Sequence, residues 1–185
     1  MVLTQSQTKL RLGDKAPDFT LQGIDGKRYS LSDFADSEGF LLIFICNHCP
    51  YVKAKIDDIV KLHEQFKDRV AVVGVNSNDP EYPGEGIENM KKFAQERNIT
   101  FPYLLDDTQK VARSYGATCT PDPFLFDKMQ QLVFHGRIDD AFNPEDKVTE
   151  RTMEDNIQKM LKGDKIDREL KPSMGCSIKW IEPAA

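Results

Sequence analysis

The sequence of 185 residues lacks any long hydrophobic run. Its longest apolar stretch, Phe40–Ile45, has the length of a strand, whereas a membrane-spanning helix needs roughly 18 to 20 apolar residues. The first eight residues also lack the basic and apolar regions of a secretory signal. These absences argue against a membrane-spanning protein and lead us to expect a cytoplasmic one.

The sequence also lacks a concentration of positive charge. Its 25 lysines and arginines are interleaved with 30 acidic residues, and the formal net charge is −5. Nucleic-acid binding normally requires a concentrated basic face, and an anionic membrane surface attracts basic segments in the same way. We therefore expect neither a nucleic acid nor a membrane surface among the partners.

Cysteine is scarce, and its distribution is informative. The four cysteines lie at positions 46, 49, 119 and 176. A disulfide framework is typical of smaller secreted domains, and this chain shows no export signal. Two of the four form the motif Cys46-Asn-His-Cys49, and such a pair in a chain with βαβ patterning indicates a thiol redox site.

The hydrophobic pattern predicts a single α/β domain over residues 1–185. Two apolar strands, Phe40–Ile45 and Val70–Val75, enclose a helical pattern and form one parallel βαβ unit. Two hairpins are expected, one joining strands 19–22 and 27–30 and one joining strands 124–126 and 132–134. Three further helices are expected: one over 87–97, a short one capped by Asp107 or Thr108 and ending near Tyr115, and one over 145–161. This order predicts a thioredoxin-like fold: a central mixed β-sheet flanked by helices, with an N-terminal β-hairpin extension and a C-terminal tail over 163–185.

The cysteine pair falls where the first buried strand ends and the helix begins. At a helix N-terminus the unpaired N–H groups and the helix dipole stabilise a thiolate, which predicts a lowered pKa and an attacking role for Cys46. His48 can add a positive charge as a pKa modulator. Cys49 follows one helical turn later, close enough to act as the resolving thiol.

Other residues near the predicted sheet bear on the same chemistry. The Thr120-Pro121 peptide precedes an apolar strand; a cis bond there would present its backbone to a substrate, and a plain turn is the alternative. Zinc usually needs a second ligand pair, whereas Cys119 and Cys176 are solitary. We therefore expect no metal and no organic cofactor. Cys119 is predicted to be a small packing residue.

Three segments resemble a known family. The segments 12–21, Cys46-Asn-His-Cys-Pro-Tyr-Val52 and Gly175-Cys-Ser-Ile-Lys-Trp180 are similar to those of thioredoxin-fold redoxins of the alkyl hydroperoxide reductase and thiol-specific antioxidant group. The nearest resemblance is to the peroxiredoxin-like subfamily that carries a thioredoxin-type CxxC. The resemblance implies that Cys46 and Cys49 form the redox-active pair and that Thr120-Pro121 is the cis-proline element that binds substrate.

The last of these segments resembles the part of dimeric peroxiredoxins that holds the resolving cysteine. One hypothesis is that Cys176 is a third redox cysteine, which reaches Cys46 or Cys49 in its own chain or in a partner's. The alternative is a buried tail cysteine packed beside Trp180.

The sequence departs from the peroxiredoxin pattern Pro-x-x-x-Thr-x-x-Cys. When Cys49 is aligned with the peroxide-reactive cysteine, Leu42 stands at the proline position, Cys46 at the threonine position and Pro121 at the arginine position. The stretch Phe40–Ile45 also carries no buried acid of the thioredoxin kind. These departures favour disulfide exchange over peroxide reduction, with a pair less reducing than thioredoxin.

The sequence thus predicts a thiol-disulfide oxidoreductase in antioxidant or redox homeostasis. The expected partners are disulfide-bearing proteins or small thiols, with thioredoxin or glutathione as reductant, and a homodimer is left open. One alternative is a thiol-dependent peroxidase with Cys49 as the peroxide-reactive residue. Another is a copper-binding chaperone module that uses Cys46, Cys49 and a histidine such as His135.

Overall fold

A computed structural model describes residues 3–141, 143, 145–166, 169 and 171–181. Within them the chain forms two β-sheets with helices packed against the larger one. The elements in chain order are β1 (Leu3–Gln5), β2 (Thr20–Gly23), β3 (Arg28–Ser30), β4 (Gly39–Phe44), α1 (Pro50–Phe66), β5 (Val70–Asn76), α2 (Ile87–Glu96), β6 (Tyr103–Leu105), α3 (Lys110–Tyr115), β7 (Cys119–Thr120), β8 (Asp122–Asp127), β9 (Leu132–His135), α4 (Thr152–Lys162) and β10 (Met174–Ser177).

The larger sheet has the strand order β3-β2-β6-β5-β4-β8-β9. The three strands β4, β5 and β6 run parallel, and the other neighbours pair antiparallel. The parallel β4-α1-β5 unit and both hairpins agree with the prediction from the sequence. The sheet is therefore mixed, with β4 near its centre and the start of α1 directly beyond the end of β4.

Strand β4 is buried along its whole length because both faces of the sheet are covered. Leu41, Ile43 and Ile45 pack into the core formed with α1, α2 and α4. The alternating residues Phe40, Leu42 and Phe44 pack into a second core with α3 and the aromatic side chains of β8. Alternation along one strand thus builds two cores.

Strand β6 is not predicted by the sequence, although it joins the two parts of the sheet. Its residues pair parallel with β5 and antiparallel with β2, in the register Leu105↔Gln22. The segment is only three residues long and follows Pro102, so it carries too little alternation to mark a strand. Pairing on both sides, rather than intrinsic preference, makes it a strand.

Two helix starts differ from the prediction. Helix α4 begins at Thr152 instead of residue 145, because the Asp140 carboxylate accepts hydrogen bonds from the N–H groups of Thr149 (2.8 Å) and Glu150 (2.9 Å) and holds them in a loop.

Helix α3 begins after Gln109, which adopts a left-handed backbone with φ 60°. The carboxylate that accepts an N–H in its first turn belongs to Asp106, at 3.0 Å from the nitrogen of Ala112. Asp107 and Thr108 therefore do not cap this helix.

The smaller sheet has the order β1-β10-β7 and is antiparallel throughout. Its central strand β10 comes from the predicted C-terminal tail, which therefore holds a paired strand rather than extended chain alone. Residues 167, 168, 170 and 182–185 of that tail lie outside the described residues. None of the helices in the described part of the chain combines the length and the apolar stretch needed to cross a membrane.

Candidate active site

The Cys46-Asn47-His48-Cys49 motif joins the end of β4 to α1. Cys49 is the N-cap residue of α1, with an extended backbone, and Pro50 occupies the first helical position, where no N–H is required. Both cysteines are buried, with exposed fractions of 1% and 0%. The placement of the pair at a strand-to-helix junction agrees with the prediction.

The Thr120-Pro121 peptide bond is cis, as the sequence predicts, and it faces the cysteine pair. The Oγ1 atom of Thr120 lies 3.0 Å from the Sγ atom of Cys46, and the Thr120 carbonyl oxygen lies 3.5 Å from the Sγ atom of Cys49. The backbone of Thr120-Pro121 is, however, already occupied by contacts within the chain rather than free to bind a substrate. Thr120 pairs in register with Cys176, and the Pro121 carbonyl accepts a hydrogen bond from the hydroxyl of Ser173 at 2.6 Å.

Cys176 reaches the redox pair within its own chain. Its Sγ atom lies 2.7 Å from the Sγ atom of Cys49, although the two residues are 127 positions apart. Cys176 packs in the core that contains both cysteines of the motif, whereas Trp180 packs against the other core, below the guanidinium of Arg113. Packing beside Trp180 therefore does not explain the burial of Cys176.

Cys119 lies in β7 and is fully buried. Burial raises the pKa of its thiol, and the nearby carboxylate of Asp122 adds to the shift. A neutral, buried thiol of this kind fits the expected packing role.

The lowered pKa of the site belongs to Cys49, not to Cys46. A hydrogen bond from the Cys46 thiol, assisted by others from the Cys176 thiol and the Val52 N–H, overcomes burial and lowers the pKa of Cys49 to about 5. Burial, the hydrogen bond to Cys49 and the negative charge of Glu85 raise the pKa of Cys46 well above its ordinary value. The lowered pKa therefore lies on Cys49, opposite to the lowering expected for Cys46, and the attacking role of Cys46 stays a prediction.

Glu85 is a functional candidate that the sequence reasoning missed. Its side chain is fully buried, and its carboxylate accepts hydrogen bonds from the N–H of Asn47 (3.2 Å) and the Nδ2 of Asn76 (2.6 Å). It lies in the polar loop between β5 and α2. The available signal was its position beyond the carboxyl end of a buried strand next to β4. The site thus contains the buried acid that the stretch Phe40–Ile45 lacks.

His48 contacts this acid, and one of its ring nitrogens lies within 4.8 Å of the Cys46 sulfur. Its Nδ1 atom contacts a Glu85 carboxylate oxygen, and its ring lies 5.0 Å from the ring of Tyr82, centroid to centroid. Its Nε2 atom is buried without a hydrogen-bond partner in the described part of the protein. A charge on His48 would act on Cys46 by offsetting the charge of Glu85, so its role as a pKa modulator stays a prediction.

The residues that could hold a metal ion differ from those considered in the sequence. The ligand atoms of Cys46, His48 and Glu85 all lie within 4.8 Å of one another. His135 does not join Cys46 and Cys49 in a ligand group among the described residues; its Nε2 atom lies 2.6 Å from the Oδ1 atom of Asp122. The copper module that uses His135 is therefore not assembled.

These contacts define a thiol redox centre in which Cys49 can form a disulfide with a neighbouring thiol. The chain belongs to the AhpC/TSA family, whose match covers residues 12–135.

Comparisons with individual proteins agree with this class. The chain is 28% identical over 124 residues to the thiol-disulfide oxidoreductase ResA of Geobacillus thermodenitrificans, which covers 66% of this chain and 67% of that protein. A crystal structure of an uncharacterized conserved protein from Geobacillus kaustophilus is similar over 100% of this chain and 99% of its own, with 40% identity and a TM-score of 0.93.

The structure is also similar to the thioredoxin domain of a thiol-disulfide oxidoreductase from Bacteroides vulgatus. The TM-score is 0.60 and the identity 26%, and the match covers 69% of this chain and 89% of that one. The predicted thioredoxin-like fold is confirmed.

Proposed function

We propose that the chain is a thiol-disulfide oxidoreductase that acts on disulfide-bearing proteins and uses Cys49 and Cys46 as its redox pair. The observation that carries this proposal is the position of Cys46 and Cys49 between β4 and α1, where both sulfur atoms face Thr120 beside the cis-proline. The pKa of Cys49, lowered to about 5, supports it. The similarity to proteins named thiol-disulfide oxidoreductases supports it. A thiolate is the nucleophile in disulfide exchange, so the site holds a reactive group at neutral pH.

In the proposed reaction, the Cys49 thiolate attacks one sulfur of the substrate disulfide. A bond forms between Cys49 and that sulfur, the substrate bond breaks, and the other sulfur leaves as a thiolate. Cys46 then loses its proton, its thiolate attacks the Cys49 sulfur, a Cys46–Cys49 disulfide forms, and the second substrate sulfur leaves as a thiolate. The proton of Cys46 passes to a departing thiolate. The substrate gains two electrons, and the pair of cysteines loses them.

This order exchanges the roles that the sequence suggests for Cys46 and Cys49. The reason is the charge of Glu85 beside Cys46 together with the two thiols that donate hydrogen bonds to Cys49.

A reductant is needed to return the pair to the dithiol form. We propose a thioredoxin or glutathione for this step, because each reacts by the same exchange chemistry. Small-thiol substrates, a homodimer and a cytoplasmic location stay predictions.

A single-turnover experiment tests the proposal. The reduced protein is mixed with one equivalent of a peptide disulfide, and the released peptide thiols are counted. The wild type is expected to release both peptide arms, and Cys49→Ser to release none. Cys119→Ser is the matched control, because it replaces another buried cysteine of the same region and should release both arms. Full release by Cys49→Ser would contradict the proposal.

A thiol peroxidase is the second candidate, and the lowered pKa of Cys49 favours it. A cysteine sulfur attacks hydrogen peroxide as the thiolate, and a sulfenic acid forms on it. Equal concentrations of peroxide and of peptide disulfide, offered separately, distinguish the two. Faster consumption of peroxide, with a sulfenic acid trapped on Cys49 in Cys46→Ser/Cys176→Ser, would support the peroxidase, whereas faster consumption of the disulfide supports the oxidoreductase.

A further inference from the structure

We propose that Cys176 is a second resolving cysteine for Cys49, and that β10 presents it from the position that a substrate strand would occupy. This proposal rests on the proposed function, because it concerns the fate of the disulfide formed on Cys49. It adds a catalytic residue from the C-terminal strand to a site otherwise built at the β4-α1 junction.

The first observation is the position of the sulfur atoms. Cys49 lies one helical turn after Cys46 in the motif, and its sulfur is within hydrogen-bond distance of the Cys176 sulfur. The Sγ atoms of Cys49 and Cys176 are 2.7 Å apart, and a disulfide bond is about 2.05 Å long. The two sulfur atoms therefore need to approach by less than about 0.7 Å to form the bond.

The second observation is the way in which β10 binds the cis-proline segment. Cys176 pairs antiparallel with Thr120, the residue before the cis-proline. The resemblance to the redoxins implies that this backbone binds substrate. The approach is close enough to require a glycine beside the cysteine. A Cβ atom built on Gly175 would lie 1.9 Å from the carbonyl oxygen of Thr120. The backbones of β7 and β10 thus pair at a distance that only a glycine at position 175 allows.

The third observation is that β10 is held on both sides of Cys176. Before it, the hydroxyl of Ser173 donates a hydrogen bond to the carbonyl of Pro121 at 2.6 Å. After it, the N–H of Ile178 donates to the carbonyl of Thr118 at 3.0 Å. These bonds place the Cys176 thiol at Cys49 before any reaction, and such preorganisation favours exchange within the chain.

The proposed step is an ordinary exchange that balances without an external oxidant. After the Cys49 thiolate has attacked a substrate disulfide, Cys49 carries a mixed disulfide. Cys176 loses its proton, its thiolate attacks the Cys49 sulfur, the Cys49–Cys176 bond forms, and the bond to the substrate breaks. The substrate sulfur leaves and receives the proton of Cys176. The same attack on a Cys46–Cys49 disulfide would free Cys46 as a thiol and move the bond to Cys176, with no change in the number of electrons.

Cys46 and Cys176 therefore compete for one sulfur. A consequence is that a chain without Cys46 still completes one turnover, since Cys176 can release the substrate. A chain without either thiol cannot.

The test uses Cys46→Ser, Cys46→Ser/Cys176→Ser and, as a matched control, Cys46→Ser/Cys119→Ser. Each reduced protein reacts with one equivalent of a peptide disulfide, followed by an acid quench and peptide mapping. We expect Cys46→Ser and the control to release both peptide arms and to contain a Cys49–Cys176 disulfide. We expect the variant that lacks both thiols to retain one arm as a mixed disulfide on Cys49.

Retention of the mixed disulfide by Cys46→Ser, at the level of the variant without either thiol, would overturn the proposal. If the wild type releases both arms in that case, the proposed function survives and only the role of Cys176 is lost. If the wild type releases no arm and forms no mixed disulfide, the proposed function fails first.

A second variant tests whether Cys176 resolves the mixed disulfide on Cys49, without removing Cys176. Gly175→Ala in the Cys46→Ser chain adds a methyl group against the Thr120 carbonyl and should displace β10 while every remaining thiol stays present. Accumulation of the mixed disulfide is the expected result, and resolution as complete as in Cys46→Ser would contradict the proposal.

Discussion

The carboxylate of Glu85 accepts a hydrogen bond from the backbone N–H of Asn47 at 3.2 Å, directly beside Cys46. This contact brings a buried negative charge from the loop after β5 to the redox motif. The same carboxylate contacts His48 and accepts a hydrogen bond from Asn76. Through this charge Glu85, which lies 39 positions after Cys46, influences whether Cys46 or Cys49 carries the thiolate.

The first prediction concerns that charge. Glu85→Gln keeps the shape of the side chain and removes its negative charge, so the pKa of the Cys46 thiol should fall. The change is best measured in a Cys49→Ser background by the ultraviolet absorbance of the thiolate during a pH titration. Glu88→Gln is the control, because the Glu88 side chain is 78% exposed and forms its ion pair with Lys91 rather than with a residue of the motif. An unchanged or higher pKa in Glu85→Gln would show that Glu85 does not act on Cys46.

The second prediction concerns the identity of the thiolate. In the reduced protein, a thiolate should appear as the pH rises through about 5, and it should be absent in Cys49→Ser. Cys46→Ala removes a hydrogen-bond donor and should raise the pKa of Cys49, whereas Cys46→Ser keeps a donor and should raise it less. The same titration in all variants gives the answer. A thiolate of unchanged pKa in Cys49→Ser would assign it to another cysteine.

The third prediction concerns the effect of the Cys49 thiolate on the free energy of unfolding. The pKa of Cys49 is lowered from 9.0 to about 5 in the folded protein, so its thiolate contributes stability that is fully present above pH 9 and is lost as the pH falls through about 5. The free energy of unfolding of the reduced wild type, relative to Cys49→Ser, should therefore increase between these two pH values. Urea titrations at several pH values measure it, and a constant difference would contradict the lowered pKa.

The fourth prediction concerns the reduction potential. Stabilising a thiolate stabilises the dithiol form, which raises the potential of the disulfide. We expect a potential above the about −270 mV of thioredoxin, measured by equilibration with glutathione buffers. Cys176→Ser isolates the Cys46–Cys49 couple for this measurement. A potential as low as that of thioredoxin would be inconsistent with the lowered pKa of Cys49.

The fifth prediction concerns the docking of β10. Gly175→Ala should lower the free energy of unfolding by about 1–3 kcal/mol, the usual cost of an added group in a filled space. It should also expose the buried cysteines to alkylation, because β10 contacts Cys49 through Cys176. Ser177→Ala, in the same strand, is expected to change the stability by less than about 0.5 kcal/mol. Equal stability and alkylation of the two variants would contradict the close packing at Gly175.

The βαβ unit and the position of the redox motif could be predicted because the information is local. The run Phe40–Ile45 has the length and composition of a buried strand, and the spacing of Val52, Ile56 and Ile59 shows a helix face. The cysteine pair between them is therefore predicted to lie at the junction of the strand and the helix. Strand β6 escaped prediction because its three residues become a strand only by pairing with two neighbours.

The protonation of the site could not be predicted because it depends on contacts between distant segments. The sequence places Cys46 before a helix, but it does not show that the buried Glu85 raises the pKa of Cys46 or that the Cys176 sulfur lies 2.7 Å from that of Cys49. The motif around Cys176 suggested a redox role and left its partner open. Antiparallel pairing with Thr120 selects Cys49 as that partner.

The central claim is that Cys49 exchanges with substrate disulfides, and the most direct measurement is a quenched single turnover of the reduced wild type. The protein is mixed with one equivalent of a peptide disulfide, acid-quenched at increasing times and mapped. We predict release of both peptide arms, with Cys49 joined first to a peptide arm and then to Cys46 or Cys176. Release of peptide with Cys49 still a free thiol, or an intact peptide disulfide throughout, would contradict it.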